Sequence, residues 1–315
     1  MTSILYLIQK HSFSLKLANH FYFCIKQSSM KKFLKRSLAF SLIAITAISC
    51  SNNNKPEQTT DEFADTTTVV DTAKQKAREK LEFKFFYTIA NLPSPMEMIN
   101  AIYENNVPFN RDLLNSSSRA TDYTTAYKKA VNYGIYGIDM AYTAFYGQNQ
   151  DLLDYYSTTK KMADKFGVQE TFDKFTSSFR ENADNRDSLV KIIDRAYTET
   201  DSYLRSNRRL EVASHVLAGS IVEVQYLSIE LLKNMEYGPS NADLFERVYN
   251  QKLYLDNLIS LFSDLKNYPS SAKLLEQLKG VKVVFDTVKE PKQLTKENLA
   301  KMSAAMSAVR ADMIK

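Results

Sequence analysis

The sequence predicts an all-α protein, folded as a multi-helix antiparallel bundle around a buried central helix. Glycine is scarce, with 7 residues in 315, and the chain has no tryptophan. No run of alternating valine, isoleucine and threonine marks a strand, whereas apolar residues recur every three or four positions through most of the chain after residue 70. Long helices joined by short connections follow from this pattern.

The segment from residue 30 to residue 50 has the features of an export signal. Met30–Arg36 is basic, and Leu38–Ile48 is an apolar run of 11 residues, about half of the ~20 that a membrane-spanning helix needs. Small residues then lead into Cys50, which resembles the bacterial lipobox, whose cysteine is acylated and becomes the new N-terminus. We therefore predict a lipoprotein signal peptide over residues 30–49 and lipidation of Cys50.

Residues 1–29 precede this signal and contain lysine but no acidic residue. Because signal peptides begin at their basic region, we expect synthesis to start at Met30 and interpret residues 1–29 as a spurious N-terminal extension. A genuine extension is the alternative. Detection of a tryptic peptide between Ile4 and Lys26 in purified protein would establish it.

The stretch after Cys50 is polar: residues 51–68 are mostly asparagine, threonine and acids, with too few apolar side chains to fold. We predict a lipidated cysteine and flexible tether over residues 50–70, spanning about 23 Å, and a helical domain over residues 71–315. Ser51 is not the aspartate that retains some lipoproteins at the inner membrane, and no acidic run of the kind that marks surface export follows it. The expected location is the cell envelope, in the outer membrane and facing the periplasm.

Charge and cysteine content narrow the function further. The first 49 residues hold seven of the 41 Lys and Arg and no acid, so the rest has 34 basic and 36 acidic residues and a net charge of −2. This balance gives no electrostatic reason to expect nucleic acid as a partner. Cys24 is lost with the leader and Cys50 carries lipid, so we predict no disulfide and no thiol nucleophile. The sequence suggests no cofactor.

Several helices have readable ends. Ser94-Pro95-Met96-Glu97 matches a helix N-terminus with proline in the first turn, whereas Phe83–Ile89 could be extended or helical. A helix from Thr121 to Tyr146, ended by Gly147, carries a continuous stripe of small side chains that we expect to pack against another helix backbone. The stripe consists of Ala126, Ala130, Gly134, Gly137, Ala141 and Ala144.

The segment Leu210–Leu232 is apolar in nearly every sector, which predicts the most buried helix and the partner of the small stripe. Glu223 and Glu230 within it argue against a membrane span. Regular seams in the last third of the chain predict near-antiparallel packing. These seams run from Leu244 to Leu265, from Leu274 to Val288 and from Leu299 to Met313. Three earlier helices are also predicted: Gln150–Phe166, which Gly167 ends; a shorter one with Phe172, Phe175 and Phe179 on its apolar face; and one from Leu189 to Tyr203.

Three stretches give the chain a wider resemblance: Leu92-Pro93-Ser94-Pro95, the run NYGIYGIDMAY from Asn132 to Tyr142, and Lys165-Phe166-Gly167. They resemble a group of uncharacterised all-helical lipoproteins of Bacteroidota, over most of the predicted mature domain. The resemblance implies a helical fold and an envelope address. It implies no catalytic residue, since that group has no established activity or site.

A candidate polar site consists of His215, Glu223 and Tyr226. His215 is the one histidine after the predicted signal, so a multi-histidine metal site is excluded; we predict no metal ligand and no catalytic residue. We expect a hydrogen-bonded core histidine that shares a helix face with Tyr226. Glu223 lies among apolar residues, where a desolvated carboxylate with a raised pKa is the alternative to a paired or exposed one.

Two further features have an ordinary structural interpretation. Asp139 falls on the same helical stripe as Lys128, Asn132 and Thr143, so we expect it to be solvated. The methionines between Leu299 and Met313 could form an adaptable binding face, but their spacing favours a core seam.

The favoured function is a lipid-anchored envelope module that binds or scaffolds a protein, peptide or glycan, because no catalytic signature is present. One alternative is an envelope hydrolase using Glu223 and His215. Another is a glycan-binding lipoprotein of the starch-utilisation type. That alternative ranks last because such proteins are longer and rely on tryptophan platforms, and this chain has no tryptophan.

Overall fold

The computed structural model describes residues 66–91, 94–206 and 209–315. These residues fold as helices without a strand, which confirms the predicted all-α class. The predicted signal peptide, Cys50 and residues 51–65 of the predicted tether lie outside the described residues. The α-helices are α1 (Thr66–Ala90), α2 (Pro95–Glu104), α3 (Ala126–Phe145), α4 (Asn149–Phe166), α5 (Gln169–Asp173), α6 (Thr176–Glu181), α7 (Arg186–Ser206), α8 (Leu210–Leu232), α9 (Ala242–Asn250), α10 (Lys252–Asp264), α11 (Pro269–Phe285) and α12 (Lys296–Ile314), with short 3-10 helices at Arg111–Leu113, Ser117–Thr121 and Pro291–Gln293.

The first helix settles whether Phe83–Ile89 is extended or helical, which the sequence left open. α1 begins at Thr66 and includes Phe83–Ile89, so this stretch is helical, and the domain boundary expected at residue 71 lies inside α1. α2 begins where the sequence predicted. Its N-cap is Ser94, whose Oγ accepts a hydrogen bond from the Met96 amide at 3.2 Å, and a proline occupies the first turn.

α3 starts later than predicted, at Ala126 instead of residue 121. Thr125 is its N-cap, because Thr125 Oγ1 accepts a hydrogen bond from the Lys128 amide at 3.1 Å and so satisfies an N–H that has no helical partner. The predicted stops are confirmed. Gly147 and Gly167, after α3 and α4, have φ values of 62° and 72°, the left-handed conformation that glycine adopts without steric cost.

Two stretches predicted as single helices are each divided into two: the one through Phe172, Phe175 and Phe179, and the one from Leu244 to Leu265. The second division falls at Gln251, a buried residue between α9 and α10. Its carbonyl oxygen accepts a hydrogen bond from Gln225 Nε2 at 2.8 Å, and its own Nε2 donates to Ser228 Oγ at 3.0 Å. Side chains of α8 thus stabilise the break, and an apolar seam alone does not reveal it.

α8 is the central helix, with the predicted bounds Leu210–Leu232. It packs against α2, α3, α7, α10 and α12. Within the described ranges it is the one helix long and apolar enough to cross a membrane by length and composition, and most of it is buried inside the bundle. Packing in the core accounts for its composition.

The contact between α3 and α8 depends on two glycines. A Cβ added to Gly134 would lie 2.2 Å from a carbonyl oxygen of α8, and one added to Gly219 would lie 2.0 Å from the Val131 oxygen. The two backbones therefore touch, as the small stripe predicted. The helices run in the same direction, because Tyr127 contacts His215 and, one turn further along both helices, Val131 contacts Gly219.

Gly137 has a different neighbour from the one expected. A Cβ at this position would fall 1.1 Å from Tyr197 Oη of α7, so the space beside Gly137 holds a tyrosine ring and not the α8 backbone. Tyr197 Oη donates a hydrogen bond to the Tyr133 carbonyl at 2.9 Å. The small stripe of α3 therefore serves two helices, with Gly134 against α8 and Gly137 against α7.

The C-terminal helices have the predicted antiparallel arrangement. Lys282 near the end of α11 pairs with Asp256 near the start of α10 at 2.8 Å, and Lys273 near the start of α11 pairs with Asp312 near the end of α12 at 2.6 Å. The α12 seam is buried, which confirms that its methionines belong to the core. Its members are Leu299, Met302, Met306, Val309 and Met313.

Candidate functional site

His215 lies in the core, as the sequence predicted. Its Nε2 is 2.9 Å from Ser271 Oγ. The rings of Tyr127 and Phe262 lie 5.0 Å and 5.6 Å from the imidazole, between centroids. Burial lowers the pKa of His215 to about 4, so the ring is neutral at pH 7.

Glu223 is fully buried and paired with Arg310 of α12. Arg310 Nε donates to Glu223 Oε2 at 2.6 Å, and Arg310 Nη2 donates to Oε1 at 2.8 Å. The same Nη2 also donates to the Leu113 carbonyl at 2.9 Å. Two parallel bonds of this kind are the strong form of an arginine–carboxylate pair, so Glu223 is a paired carboxylate.

The Tyr226 ring packs against the guanidinium group of this pair. The Arg310 guanidinium carbon lies 4.2 Å from the centroid of the Tyr226 ring. His215 lies two turns earlier on α8 than Glu223, about 12 Å along the helix axis at 1.5 Å per residue. The structure therefore brings Glu223 and Tyr226 together through Arg310 and leaves His215 in a separate environment.

Asp139 is buried, so the expectation that it is solvated was wrong. Its stripe neighbours Asn132 and Thr143 are buried as well. Asn132 Nδ2 donates to the Met313 carbonyl at 2.8 Å, and Lys128 Nζ donates to the same oxygen at 3.3 Å. Asn132 and Lys128 thus satisfy a carbonyl group at the C-terminal end of α12, and Thr143 Oγ1 donates to the Met140 carbonyl of its own helix at 2.8 Å.

The surroundings of the Asp139 carboxyl favour its protonated form. Burial raises its pKa well above the usual value, the negative Glu223 beside it raises it further, and Arg310 opposes both effects. Asp139 Oδ2 accepts a hydrogen bond from the Asn115 amide at 3.1 Å, whereas Oδ1 has no partner within the described part of the chain when the group is ionised. A proton on Oδ1 supplies a donor, and Glu223 is the acceptor next to it.

This cluster fastens the segment from residue 111 to residue 123 onto the bundle. Tyr155 Oη donates to the Asn115 carbonyl at 2.9 Å, and Tyr136 Oη donates to the Ser116 carbonyl at 2.8 Å. Buried backbone groups in a segment with little regular structure need side-chain partners, and these tyrosines supply them. The charged cluster is therefore part of the internal framework.

A cavity separate from this cluster lies where α2, α7 and α8 meet, with a volume of about 350 Å³. That volume is within the range of ligand pockets, roughly 300–1,000 Å³. Most of the lining is apolar. The main apolar contributors are Met96, Met98, Ile138, Val216, Ile221 and Val224.

The polar side of the cavity comes from one face of α7. Asp194, Tyr197, Thr198 and Asp201 all line it, and their spacing of three, four and seven residues places them on a single helical stripe. Two carboxylates thus lie one on each side of a tyrosine and a threonine along the same wall. The arrangement presents hydrogen-bond acceptors to anything that occupies the apolar space.

Both carboxylates already have one partner. Asp194 Oδ1 accepts a hydrogen bond from Ser94 Oγ at 3.1 Å, which connects α7 to the N-cap of α2. Asp201 forms an ion pair with Arg205, at 2.9 Å from Arg205 Nε. Burial raises the pKa of Asp201 to about 6 in spite of this arginine, so Asp201 gains its negative charge within the mildly acidic range.

None of the sequence candidates lines this cavity, and the α7 residues were missed. Their spacing of three, four and seven is visible in the sequence, but it also fits the solvent face of an amphipathic helix. Their role appears only when Met96 and Met98 of α2 and the apolar side chains of α8 are placed opposite them. The described residues contain no group of three His, Cys, Asp or Glu side chains that could hold a metal ion.

The fold and the cavity define a helical-bundle protein with an apolar cleft and an acidic wall. No known protein family, curated protein or solved structure matches the chain.

Proposed function

We propose that the protein is a lipid-anchored envelope module that binds a small ligand in the cavity between α2, α7 and α8. The cavity itself is the observation that supports a binding role. It is large enough for a ligand, its lining is mostly apolar, and its polar groups are confined to one wall. The anchor and the envelope location rest on the signal-like sequence and Cys50.

The lining suggests the chemistry of the ligand. Aliphatic and methionine side chains favour an apolar body, because they remove its surface from water without offering it hydrogen bonds. The α7 wall offers the carboxylates of Asp194 and Asp201, which favour a donor or a positive charge at one end. A short apolar peptide with a free amino group combines both features, so we propose a peptide N-terminus as the ligand class.

The two other functions considered have less support. A hydrolase would need Glu223 and His215 in one pocket, but Glu223 is paired with Arg310 and His215 contacts Ser271. A glycan site would favour flat aromatic faces, whereas this lining is mainly aliphatic. Neither alternative makes use of the acidic wall opposite the apolar floor.

Calorimetric titration with leucyl-leucine amide tests the proposal. The peptide has two apolar side chains and a free amine, and its N-acetylated form has the same body without the charge. We expect the free amine to bind more tightly at pH 7 than at pH 5, because Asp201, with a pKa of about 6, is mostly ionised at pH 7 and mostly protonated at pH 5, while the amine carries its positive charge at both. The acetylated form should show no such pH dependence.

Two variants assign the binding to the cavity. Asp201→Asn should weaken binding of the free amine by about tenfold, the loss expected for one charge-assisted hydrogen bond, and should leave the acetylated form unchanged. Leu217→Trp fills the space and should abolish both; Leu153→Trp, on an exposed part of α4, is the matched control. Equal binding to all three proteins would refute the assignment.

A further inference from the structure

An exposed aromatic patch lies near the C-terminal end of α1. It consists of Phe83, Phe86 and Tyr87, which are 68%, 53% and 55% exposed. Phe83 and Tyr87 stack on each other, with 6.4 Å between ring centroids. Large aromatic side chains concentrated within five residues of one helix, and exposed to this degree, mark a surface that contacts something apolar.

The patch points directly away from the bundle. α1 buries Phe85 and Thr88 against the protein, and the helical period of 100° per residue places Phe83, Phe86 and Tyr87 on the opposite side. The cavity does not explain these side chains, because none of the three lines it. The aromatic patch therefore faces outward as an independent surface.

The same face of α1 carries charges of both signs, as a layer of lipid headgroups does. Helical spacing places Lys80 and Lys76 one and two turns before the aromatic patch, with Glu79 between them and Glu82 one turn before Phe86. Lys80 extends toward Asp264 at 3.3 Å, but its side chain is still mostly exposed. Aromatic rings and long lysine side chains are both common at the level of the membrane headgroups, where each keeps an apolar part and a polar end in suitable surroundings.

The position of α1 in the chain indicates which surface the aromatic patch contacts. Only 15 residues separate Cys50 from Thr66, and a chain of that length reaches at most about 50 Å in any conformation. α1 is the first described element after the proposed anchor, so a lipid on Cys50 keeps this helix within reach of the bilayer. Tethering at that distance raises the effective concentration to the millimolar range, at which a weak surface contact is sufficient.

We propose that the aromatic patch of α1 docks onto the membrane that holds the lipid anchor, so that α1 lies along the bilayer surface. The proposal rests on the anchor in the proposed function but is independent of the cavity. A second copy of the chain fits the patch less well. Stable dimers bury about 800 Å² on each partner, and three side chains on a convex helix offer much less.

The absence of tryptophan makes the docking measurable. Phe86→Trp places a single fluorophore in the patch, and Leu153→Trp places one at a similarly exposed position, 51%, on α4. Both full-length lipidated variants are reconstituted in vesicles of equal parts phosphatidylethanolamine and phosphatidylglycerol with brominated acyl chains. Bromine quenches tryptophan only at close range, so each probe reports whether its own surface enters the bilayer.

We expect brominated vesicles to quench and blue-shift the Phe86→Trp probe, with the Leu153→Trp probe unchanged. Adding Phe83→Ser and Tyr87→Ser to the Phe86→Trp variant should remove most of the quenching, since two of the three rings are lost. No quenching of either probe, or equal quenching of both, would overturn the proposal. So would a blue shift that depends on protein concentration without lipid, which would indicate self-association.

The same samples separate this inference from the proposed function. Intact mass reports acylation of Cys50, and calorimetry with leucyl-leucine amide reports the cavity. An acylated, peptide-binding protein whose Phe86→Trp probe is not quenched would refute the docking alone. A protein that is not acylated but whose probe is quenched on added vesicles would refute the anchor and leave the membrane surface in place.

Discussion

Replacing Arg310 with methionine removes the positive centre of the buried cluster. Arg310 makes two hydrogen bonds to Glu223, at 2.6 Å and 2.8 Å, and one to the Leu113 carbonyl at 2.9 Å. Methionine fills most of the same volume but leaves Glu223 without its counter-ion. Removing one partner of a buried ion pair typically costs about 3–5 kcal/mol, and the Leu113 bond adds about 1 kcal/mol.

That loss is large against the total stability of a domain, about 5–15 kcal/mol, so a partly unfolded protein at room temperature is within the expected range. Urea unfolding followed by circular dichroism measures it. Arg247→Met is the matched control, because Arg247 pairs with Asp243 at 2.8 Å on the surface. An exposed pair of that kind contributes at most about 1 kcal/mol.

The double variant Glu223→Gln with Arg310→Met separates the ion pair from the packing. If the loss comes from an unpaired buried carboxylate, removing that charge as well should recover part of the stability lost in Arg310→Met. A loss in Arg310→Met no larger than that in Arg247→Met would refute the cluster as a structural element. A double variant as unstable as the sum of the single variants would show that the pair is not coupled.

Three further predictions concern the core and the anchor. Because the pKa of His215 is about 4 in the folded protein, the imidazole takes up a proton in the unfolded chain at a higher pH than in the folded one. The free energy of unfolding should therefore fall as pH drops from about 6.5 toward 4, by about 2 kcal/mol between pH 6.5 and 5. His215→Gln should flatten the curve of urea midpoint against pH. Gly134→Ala should lower the melting temperature, because the added Cβ would lie 2.2 Å from a backbone oxygen of α8, at a cost of about 1–3 kcal/mol. Gly280→Ala, at an open position in α11, should raise the melting temperature, since alanine favours a helix more than glycine does. Equal effects of the two substitutions would contradict the close contact of α3 and α8. Cys50→Ser should abolish incorporation of labelled fatty acid and release the protein from membranes. A variant that still incorporates fatty acid and still fractionates with membranes would show that the anchor is misassigned.

The sequence was sufficient for the features that depend on one helix at a time. α8 is apolar on all sides, so its central position and its bounds follow from its composition. The glycines and alanines of α3 predict a close approach of backbones, and Gly134 makes one. Stops at Gly147 and Gly167 follow from the left-handed conformation that glycine allows.

Features that depend on a distant segment could not be predicted in this way. Asp139 shares a stripe with polar residues and so looks solvated, but the segment around Asn115 and the buried pair of Glu223 and Arg310 lie against it. Gly137 looks like a contact for α8, but a tyrosine from α7 occupies the space. Periodicity gives the faces of a helix and not the identity of what packs on them.

The cavity is the feature that the sequence predicts least. Its apolar floor comes from α2 and α8 and its acidic wall from α7, and each set of residues has an ordinary interpretation within its own helix. The methionines of α2 look like core residues, and Asp194 and Asp201 look like a solvent face. Only the packing of three helices makes them parts of one site.

Methyl NMR on protein labelled at its methionine methyl groups tests the central claim most directly. Met96 and Met98 line the cavity, whereas Met306 and Met313 lie in the α12 seam away from it. On titration with leucyl-leucine amide, binding in the cavity predicts saturable shifts of the Met96 and Met98 signals, with the Met306 and Met313 signals unchanged. Unchanged Met96 and Met98 signals, or shifts confined to other methionines, would contradict the proposed site.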